Sequence, residues 1–355
     1  MNLPLYRPGR TPTMVGAAVP DALSRLASNE SPYGPLPGVA DALQRQLQSV
    51  NRYPEVRCAT LRATIAGWLG VGVDHVVVGP GSTGLLWQIA AAFLDEDSEM
   101  VTPWPSFEGY PLIAQLMGAT WRAVPLVDHR VDASDVADAV GDRTKLVVIA
   151  EPNNPTGTSI GFDAVNELAD ATAGRCVLVV DEAYLEFAPS VDARRTVALL
   201  DEFPHVVALR TFSKAHGLAG LRVGYAVGAP HVIDPIDRVA PPFSVSSLAQ
   251  AAAIASIEAV DELGRRVAAV VAERDRVIAD VQELVGELPP SATNFVWIPC
   301  PDEAESLATA LELDGVITRP VAGQGVRVTI GERGDNDRFL RALGAFVGRR
   351  VGRAS

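Results

Sequence analysis

The run VVALRTFSKAHGLAGLRVGYAVG (206–228) is the stretch on which the reading of this chain turns. Two apolar, β-rich ends, VVAL and VGYAV, flank a loop of small and hydroxyl residues. That loop carries Lys214 and, eight residues on, Arg222. Continuous apolar strands belong to sheets covered on both faces. Working outward, the same texture recurs at His75–Gly79, Met100–Pro103, Trp121–Leu126, Lys145–Ala150 and Cys176–Asp181. Between several of these runs lie helical spacings such as Leu85, Leu86, Ile89, Phe93 and Leu94. The alternation predicts an α/β fold with a mostly parallel central sheet over residues 75–228.

A different texture begins near Ser244. Residues 245–286 predict one or two long helices, Ala-rich first and then charged at Glu273, Arg274, Asp275 and Arg276. After the Leu288-Pro289-Pro290 break, two short strands are expected at Asn294–Ile298 and Val326–Ile330, with a helix between them and a last helix through Phe339, Leu340, Leu343 and Phe346. The first residues are rich in Pro and Gly, then helical from about Val39 to Val50. The expected division is an arm over 1–45 that joins the small domain, a large domain over 46–244, and a small α+β domain over 245–355. A chain of 355 residues suits two domains at roughly 100–200 residues each.

Composition narrows the partners. Hydrophobic residues make up 48% and charged residues 21%, an ordinary globular balance. The net charge of −13 repels phosphate backbones and anionic lipid, so neither nucleic acid nor membrane is an expected partner. Cys58, Cys176 and Cys300 are odd in number and lack metal-ligand spacing, which predicts no metal site and a reducing, cytoplasmic setting. The N-terminal MNLPLYRPGR has no apolar signal-peptide core. Lys145 and Lys214 are the only lysines, so any chemistry that needs a lysine amine has two candidates.

Four loops at strand ends carry candidate chemistry. GPGSTG (79–84) fits the G-x-G-x-x-G pattern of dinucleotide-binding dehydrogenases, but that reading needs an acidic residue at the end of the next strand, where Thr102-Pro103 stands. A small-residue loop opening a helix still offers free N–H groups to a phosphate; a tight turn with Ser82 as N-cap is the plain alternative. EPNNPTG (151–157) has the composition of a turn. Asp181 closes a buried strand, where a carboxylate needs a positive partner or caps a following helix. In the fourth loop, hydroxyls plus Arg222 suit a phosphate dianion. Lys214, in a partly apolar setting, can become a nucleophile; a solvated lysine is the alternative.

Taken together the chain closely resembles the fold type I aminotransferases, in the branch of histidinol-phosphate aminotransferase and the actinobacterial aromatic amino acid aminotransferases. The resemblance rests on LASNESPYGPLP (26–37), NRYP (51–54), EPNNPTG (151–157), DEAY (181–184), TFSKAHGLAGLRVGY (211–225), NFVW (294–297) and GVRVTIG (325–331). It implies pyridoxal 5′-phosphate (PLP) attached to the Lys214 amine as a Schiff base, with Lys214 also moving the substrate proton. It implies Asp181 on the ring nitrogen, Asn154 and Tyr184 on the phenolic oxygen, and Tyr110 stacked on the ring. Ser82, Thr83, Thr211, Ser213 and Arg222 would hold the phosphate, and Tyr53 would reach the phosphate of a second subunit, making a homodimer with shared sites. Arg327 would take the substrate carboxylate, while Tyr6, Asn29, Tyr33 and Arg319 would line the side-chain end of the pocket. Thr83-Gly84 stand where many histidinol-phosphate enzymes carry acidic residues, and His216 stands where an aromatic ring is common. The implied activity moves an amino group between an aromatic amino acid and a 2-oxo acid such as 2-oxoglutarate, with histidinol phosphate as the alternative donor.

Overall fold

The structure is a computed structural model that describes residues 23–188 and 195–354. The described chain opens with strand β1 (Ser24–Arg25) and helices α1 (Val39–Gln46) and α2 (Ala59–Leu69). It then alternates through β2 (Val76–Gly79), α3 (Gly81–Phe93), β3 (Glu99–Trp104), α4 (Gly109–Leu116), β4 (Thr120–Pro125), α5 (Ala133–Asp138), β5 (Thr144–Ala150), α6 (Phe162–Thr172) and β6 (Val177–Asp181). Strands β7 (Val206–Thr211) and β8 (Gly224–Gly228) complete that part. Helices α7 (Pro230–Arg238), α8 (Ser247–Glu258) and α9 (Val260–Val285) follow. The chain ends with β9 (Phe295–Pro299), α10 (Ala304–Leu313), β10 (Val316–Ile317), β11 (Arg319–Val321), β12 (Gly325–Thr329) and α11 (Arg333–Ala354).

The central sheet has seven strands in the order β2-β8-β7-β6-β5-β3-β4. Strand β8 runs against both β2 and β7, and the other pairs are parallel, as the continuous apolar strands predict. Side chains alternate between two cores. Val147, Ile149, Leu178, Val180 and Val206 face one layer with Ile65 of α2 and Leu168 of α6. Leu146, Val148, Val179, Val207 and Leu209 face the other with Leu85 and Ile89 of α3 and Ile113 of α4. Helices therefore cover both faces, each fully buried aliphatic side chain contributing about 1.5–3 kcal/mol.

The topology that a dinucleotide-binding loop requires is absent around GPGSTG. The strand before the Gly-rich loop, β2, lies at the sheet edge and pairs antiparallel with β8, whereas that motif calls for a parallel β-α-β unit. Glu99 sits at the start of β3, tied to Arg122 Nε at 3.1 Å and Thr144 Oγ1 at 2.9 Å.

The second part is an antiparallel sheet, β11-β12-β9, with α10 and α11. The N-terminal segment joins it: β1 pairs with β10, Leu26 N donates to Ile317 O (2.8 Å), and Thr329 N donates to Leu26 O (2.8 Å). Strands β1, β10 and β11 are two or three residues long, too short for any periodicity to announce them. Helices α8 and α9 break at Ala259, and Ser246 caps α8 by accepting from Ala249 N at 3.1 Å.

Candidate active site

Register places the polar ends of several strands on one edge. Ala150 lies opposite Asp181, Asp181 opposite Leu209, and Gly224 opposite both Thr211 and Gly79. This is the carboxyl edge of the parallel strands, where open α/β sheets bind ligands. A cavity of about 550 Å³ opens there, with Asp181, Lys214 and Arg222 on the sheet side and Arg319 and Arg327 of the small sheet opposite.

The loop around Lys214 is tightly built. Ser213 N donates to Thr211 Oγ1 (3.1 Å), Leu218 N to Phe212 O (2.8 Å) and Gly217 N to Lys214 O (3.0 Å). Lys214 is half-buried; its Nζ donates to Ser28 O at 2.9 Å and lies 5.9 Å from the centre of the Tyr184 ring. Burial pulls its pKa down to about 7, helped by the charges of Arg327 and Arg222 and opposed by Glu30 and Asp181. Lys145, by contrast, is exposed. Of the two lysines, Lys214 is the one whose surroundings suit a reactive amine.

Asp181 is buried, and burial raises its pKa to about 6 against the hydrogen bond from Tyr110. Tyr110 Oη donates to Oδ2 at 2.9 Å, while Oδ1 is buried with no hydrogen-bond partner among the described residues. A lone buried acceptor beside a cavity is costly unless a donor meets it there. Asp181 caps no helix, because the next element is the short 3-10 turn Leu185–Phe187 with Tyr184 at its cap position. Tyr110 was expected to offer a ring face; in this structure its hydroxyl is engaged with Asp181 and its ring stands edge-on to Phe107 at 5.4 Å.

Opposite Asp181, Asn154 Oδ1 accepts from Arg327 Nη1 at 2.5 Å, and Ala27 O accepts from Arg327 Nη2 at 2.6 Å. The EPNNPTG loop is therefore both turn and site. Asn153 anchors it through Ser106 Oγ (2.9 Å) and Thr156 Oγ1 (2.9 Å), and leaves Asn154 facing the cavity. Tyr184 Oη accepts from Asn29 Nδ2 at 2.9 Å. Asn29, at φ 53°, is fixed in turn by Thr329 Oγ1, which donates to its Oδ1 at 2.9 Å. Asn29 thus lines the cavity beside Tyr184.

The anion cup lies at the start of α3. The helix begins at Gly81 with Pro80 at the cap position and no side-chain cap, so Ser82 is not the N-cap and the first-turn amides stay available. Gly81 adopts φ +77°, and a Cβ there would sit 2.6 Å from Arg222 Nη2. Arg222 Nη1 donates to Ser213 Oγ (3.2 Å) and Ala219 O (2.9 Å), which turns the guanidinium across the cup. Ser82, Thr83, Thr211 and Ser213 line the same cavity.

Of three further expected residues, one lies away from the cavity, one was expected to act on a second subunit, and one is not described. Tyr33 does not line the cavity; its ring lies 5.5 Å from the Arg266 guanidinium, a cation–π contact that holds it against α9. Tyr53 is 83% exposed and stacks on Phe243 with ring centres 4.6 Å apart, away from its own chain's cavity. Tyr6 lies outside the described residues. Sequence reasoning also missed Glu108, which pairs with Arg319, and the apolar walls Trp87, Leu112 and Ile113. No local signal points to Glu108, since its partner is far along the chain. His216 packs edge-on to Phe212 at 4.8 Å, and its Nδ1 meets Ser256 Oγ at 2.6 Å. Burial drives its pKa down to about 4, so it is a neutral core ring.

The residues fit PLP: an unpaired carboxylate oxygen for a ring N–H, a lysine amine of lowered pKa, and a phosphate-sized cup of amides, hydroxyls and Arg222. Among the described residues no cluster of metal-ligating side chains occurs, and no helix is long and apolar enough to cross a membrane.

Comparison with known proteins agrees. The family pattern of aminotransferase class I and II matches residues 22–343. The aromatic amino acid aminotransferase of Corynebacterium jeikeium is 44% identical over 96% of this chain and 91% of its own length. That of Streptomyces avermitilis is 42% identical over 97% and 95%. The solved histidinol-phosphate aminotransferase of Sinorhizobium meliloti, in complex with pyridoxal-5′-phosphate, superposes with a TM-score of 0.87 at 29% identity, over 95% of this chain and 93% of that one. Cavity, cup and kinship lead to one conclusion: the chain belongs to the aminotransferases of class I and II and is a PLP-dependent transaminase.

Proposed function

We propose that this transaminase takes aromatic amino acids as donors and 2-oxo acids such as 2-oxoglutarate as acceptors. The observation that carries the reading is the cavity itself, with two arginines at one end and Trp87, Leu112 and Ile113 among its walls. Arg327 suits an α-carboxylate and the apolar walls suit a ring. The curated relatives named above point the same way.

PLP, when bound, supplies the electron sink that makes the substrate Cα–H acidic. The rest is done by the chain. Asp181, short of one partner, holds positive charge at the ring nitrogen. Asn154, held by Arg327, and Tyr184, held by Asn29, would meet the phenolic oxygen of the ring. Lys214, with a pKa near 7, can release and take back a proton at Nζ close to neutral pH, as acid–base transfer at Cα requires. Ser82, Thr83, Thr211, Ser213 and Arg222 hold the phosphate, and Tyr110 closes over Asp181.

The same reading makes the enzyme a cytoplasmic homodimer, divided into an arm to residue 45, a large domain to 244 and a small domain beyond. The three free thiols support a reducing compartment. The exposed Tyr53–Phe243 stack supports a second subunit, whose phosphate cup Tyr53 would reach. Mixing Lys214→Ala with Tyr53→Ala protein tests the shared site, because a heterodimer can restore one complete cavity.

The deciding assay measures kcat/KM for Phe, Tyr, Trp, His and histidinol phosphate side by side with 2-oxoglutarate. Aromatic donors should be used at least as efficiently as histidinol phosphate. A clear preference for histidinol phosphate would overturn the donor assignment, and Arg319 would then be the natural seat of its phosphate.

A further inference from the structure

Arg319 and Arg327 are directly opposed across the β11–β12 ladder. Opposed positions send their side chains to one face, with Cβ atoms roughly 4.5–5.5 Å apart. Two like charges so placed repel unless an anion lies near. Arg327 is met by neutral oxygens, those of Asn154 and Ala27. Arg319 is met by a carboxylate, that of Glu108, and both groups line the cavity.

Glu108 occupies the N-cap position of α4, yet its side chain makes no cap hydrogen bond to that helix. The first turn offers that carboxylate no amide, because Tyr110 N already donates to Phe107 O at 3.0 Å and Pro111 carries no N–H. Glu108 turns instead to Arg319. Its side chain is 38% exposed, whereas that of Arg319 is 10% exposed. Of the two partners, the acid is the one with solvent to turn into.

Counting charge shows what this does to substrate choice; the count rests on the proposed function. An aromatic amino acid brings one carboxylate, which Arg327 can take while Glu108 keeps Arg319. 2-Oxoglutarate or glutamate brings a second, which would meet the like charge of Glu108 at Arg319. We propose that Glu108 is a displaceable internal counter-ion: it occupies Arg319 while an aromatic substrate is bound and yields Arg319 to the distal carboxylate of a dicarboxylate. Glu108 is then a specificity-determining residue that sets how strongly the cavity prefers monocarboxylates to dicarboxylates.

The test uses holoenzyme and two unreactive acids, glutarate and 3-phenylpropanoate, with dissociation constants taken by calorimetry and by the change in cofactor absorbance. Glu108→Gln removes the competing charge and keeps the side-chain size. Glutarate should bind about tenfold tighter, because a like charge close to the ligand is gone, while 3-phenylpropanoate should change by less than about threefold. In an Arg319→Gln background the same Glu108→Gln change should leave the glutarate-to-phenylpropanoate ratio fixed, since no shared arginine remains to contest. Equal shifts for both acids, or weaker glutarate binding, would overturn the proposal and leave the aminotransferase reading intact. The same holds if the ratio moves as much with Arg319 removed as with it present. If neither acid binds to wild-type holoenzyme, the functional reading fails first and the proposal with it.

Discussion

Asp181 and Glu182 are neighbours at the end of one strand, both buried, and they point to opposite sides of the sheet edge. On the far side, Glu182 is fully met: one oxygen accepts from Arg210 Nε at 2.7 Å and the other from Thr196. On the cavity side, Asp181 has Tyr110 on one oxygen and, among the described residues, no hydrogen-bond partner within bonding geometry on the other. The first carboxylate is answered on both oxygens inside the protein, although Arg210 keeps Nη2 without a partner among the described residues. The second faces the cavity with one oxygen open to a ligand. Composition makes the two residues equivalents; their partners make one structural and the other functional.

That contrast can be broken experimentally. The largest effect belongs to the cavity side: Lys214→Ala should abolish turnover, and borohydride reduction followed by peptide mapping of wild type should place the label on Lys214. Label on Lys145 would remove the assignment altogether. Next comes the closed pair. Arg210→Met strands the Glu182 charge and should cost about 3–5 kcal/mol of unfolding free energy in urea titration, with kcat changed only a few-fold. Asp181→Asn should behave in the opposite way, with near-normal stability but kcat/KM lowered by about 2.7–4 kcal/mol of transition-state stabilisation. If Asp181→Asn stays within a few-fold of wild type, the open carboxylate has no catalytic task.

Two smaller effects sharpen the picture. Arg327→Lys loses the bidentate fork and should lower kcat/KM for aromatic donors by about 1.5–3 kcal/mol. For the apoprotein, Lys214 has a folded-state pKa of about 7, below its ordinary 10.5. Between these values the unfolded chain binds more protons than the fold, so the penalty is full below about pH 7 and fades as pH rises. Lys214→Met apoprotein should therefore melt higher than wild type at pH 7, and the gap should narrow towards pH 10. A gap independent of pH would mean that the lysine is not destabilised by burial.

Much of this was legible in the sequence, for identifiable reasons. The central strands announce themselves because their runs are apolar and, apart from the largely exposed edge strand β4, buried on both faces. Lys214, Asp181, Asn154 and Arg222 sit at strand ends or in the loops beside them, so locating the strands located them too; Arg327, in the middle of β12, came with the resemblance. What stayed hidden depends on distant partners. Glu108 gains meaning only when β11, a three-residue strand, brings Arg319 to it. The resemblance put Tyr33 in the pocket, but Arg266 of α9 draws its ring elsewhere. Asn29 is held beside Tyr184 by Thr329, 300 residues along the chain, a partnership no local pattern announces.

The facing positions of Arg319 and Arg327 on one ladder have a consequence for how such an enzyme can change. Their spacing is set by main-chain hydrogen bonds between β11 and β12, and no side chain can drift it. Leu112, Ile113 and Trp87, which shape the rest of the cavity, hang from α4 and α3, on the other sheet. Mutations there can enlarge, shrink or re-contour the room for a side chain while both carboxylate anchors stay put. Donor range is thereby uncoupled from the grip on the common end of every substrate, and a lineage can explore new amino acids by single steps without first losing the old acceptor.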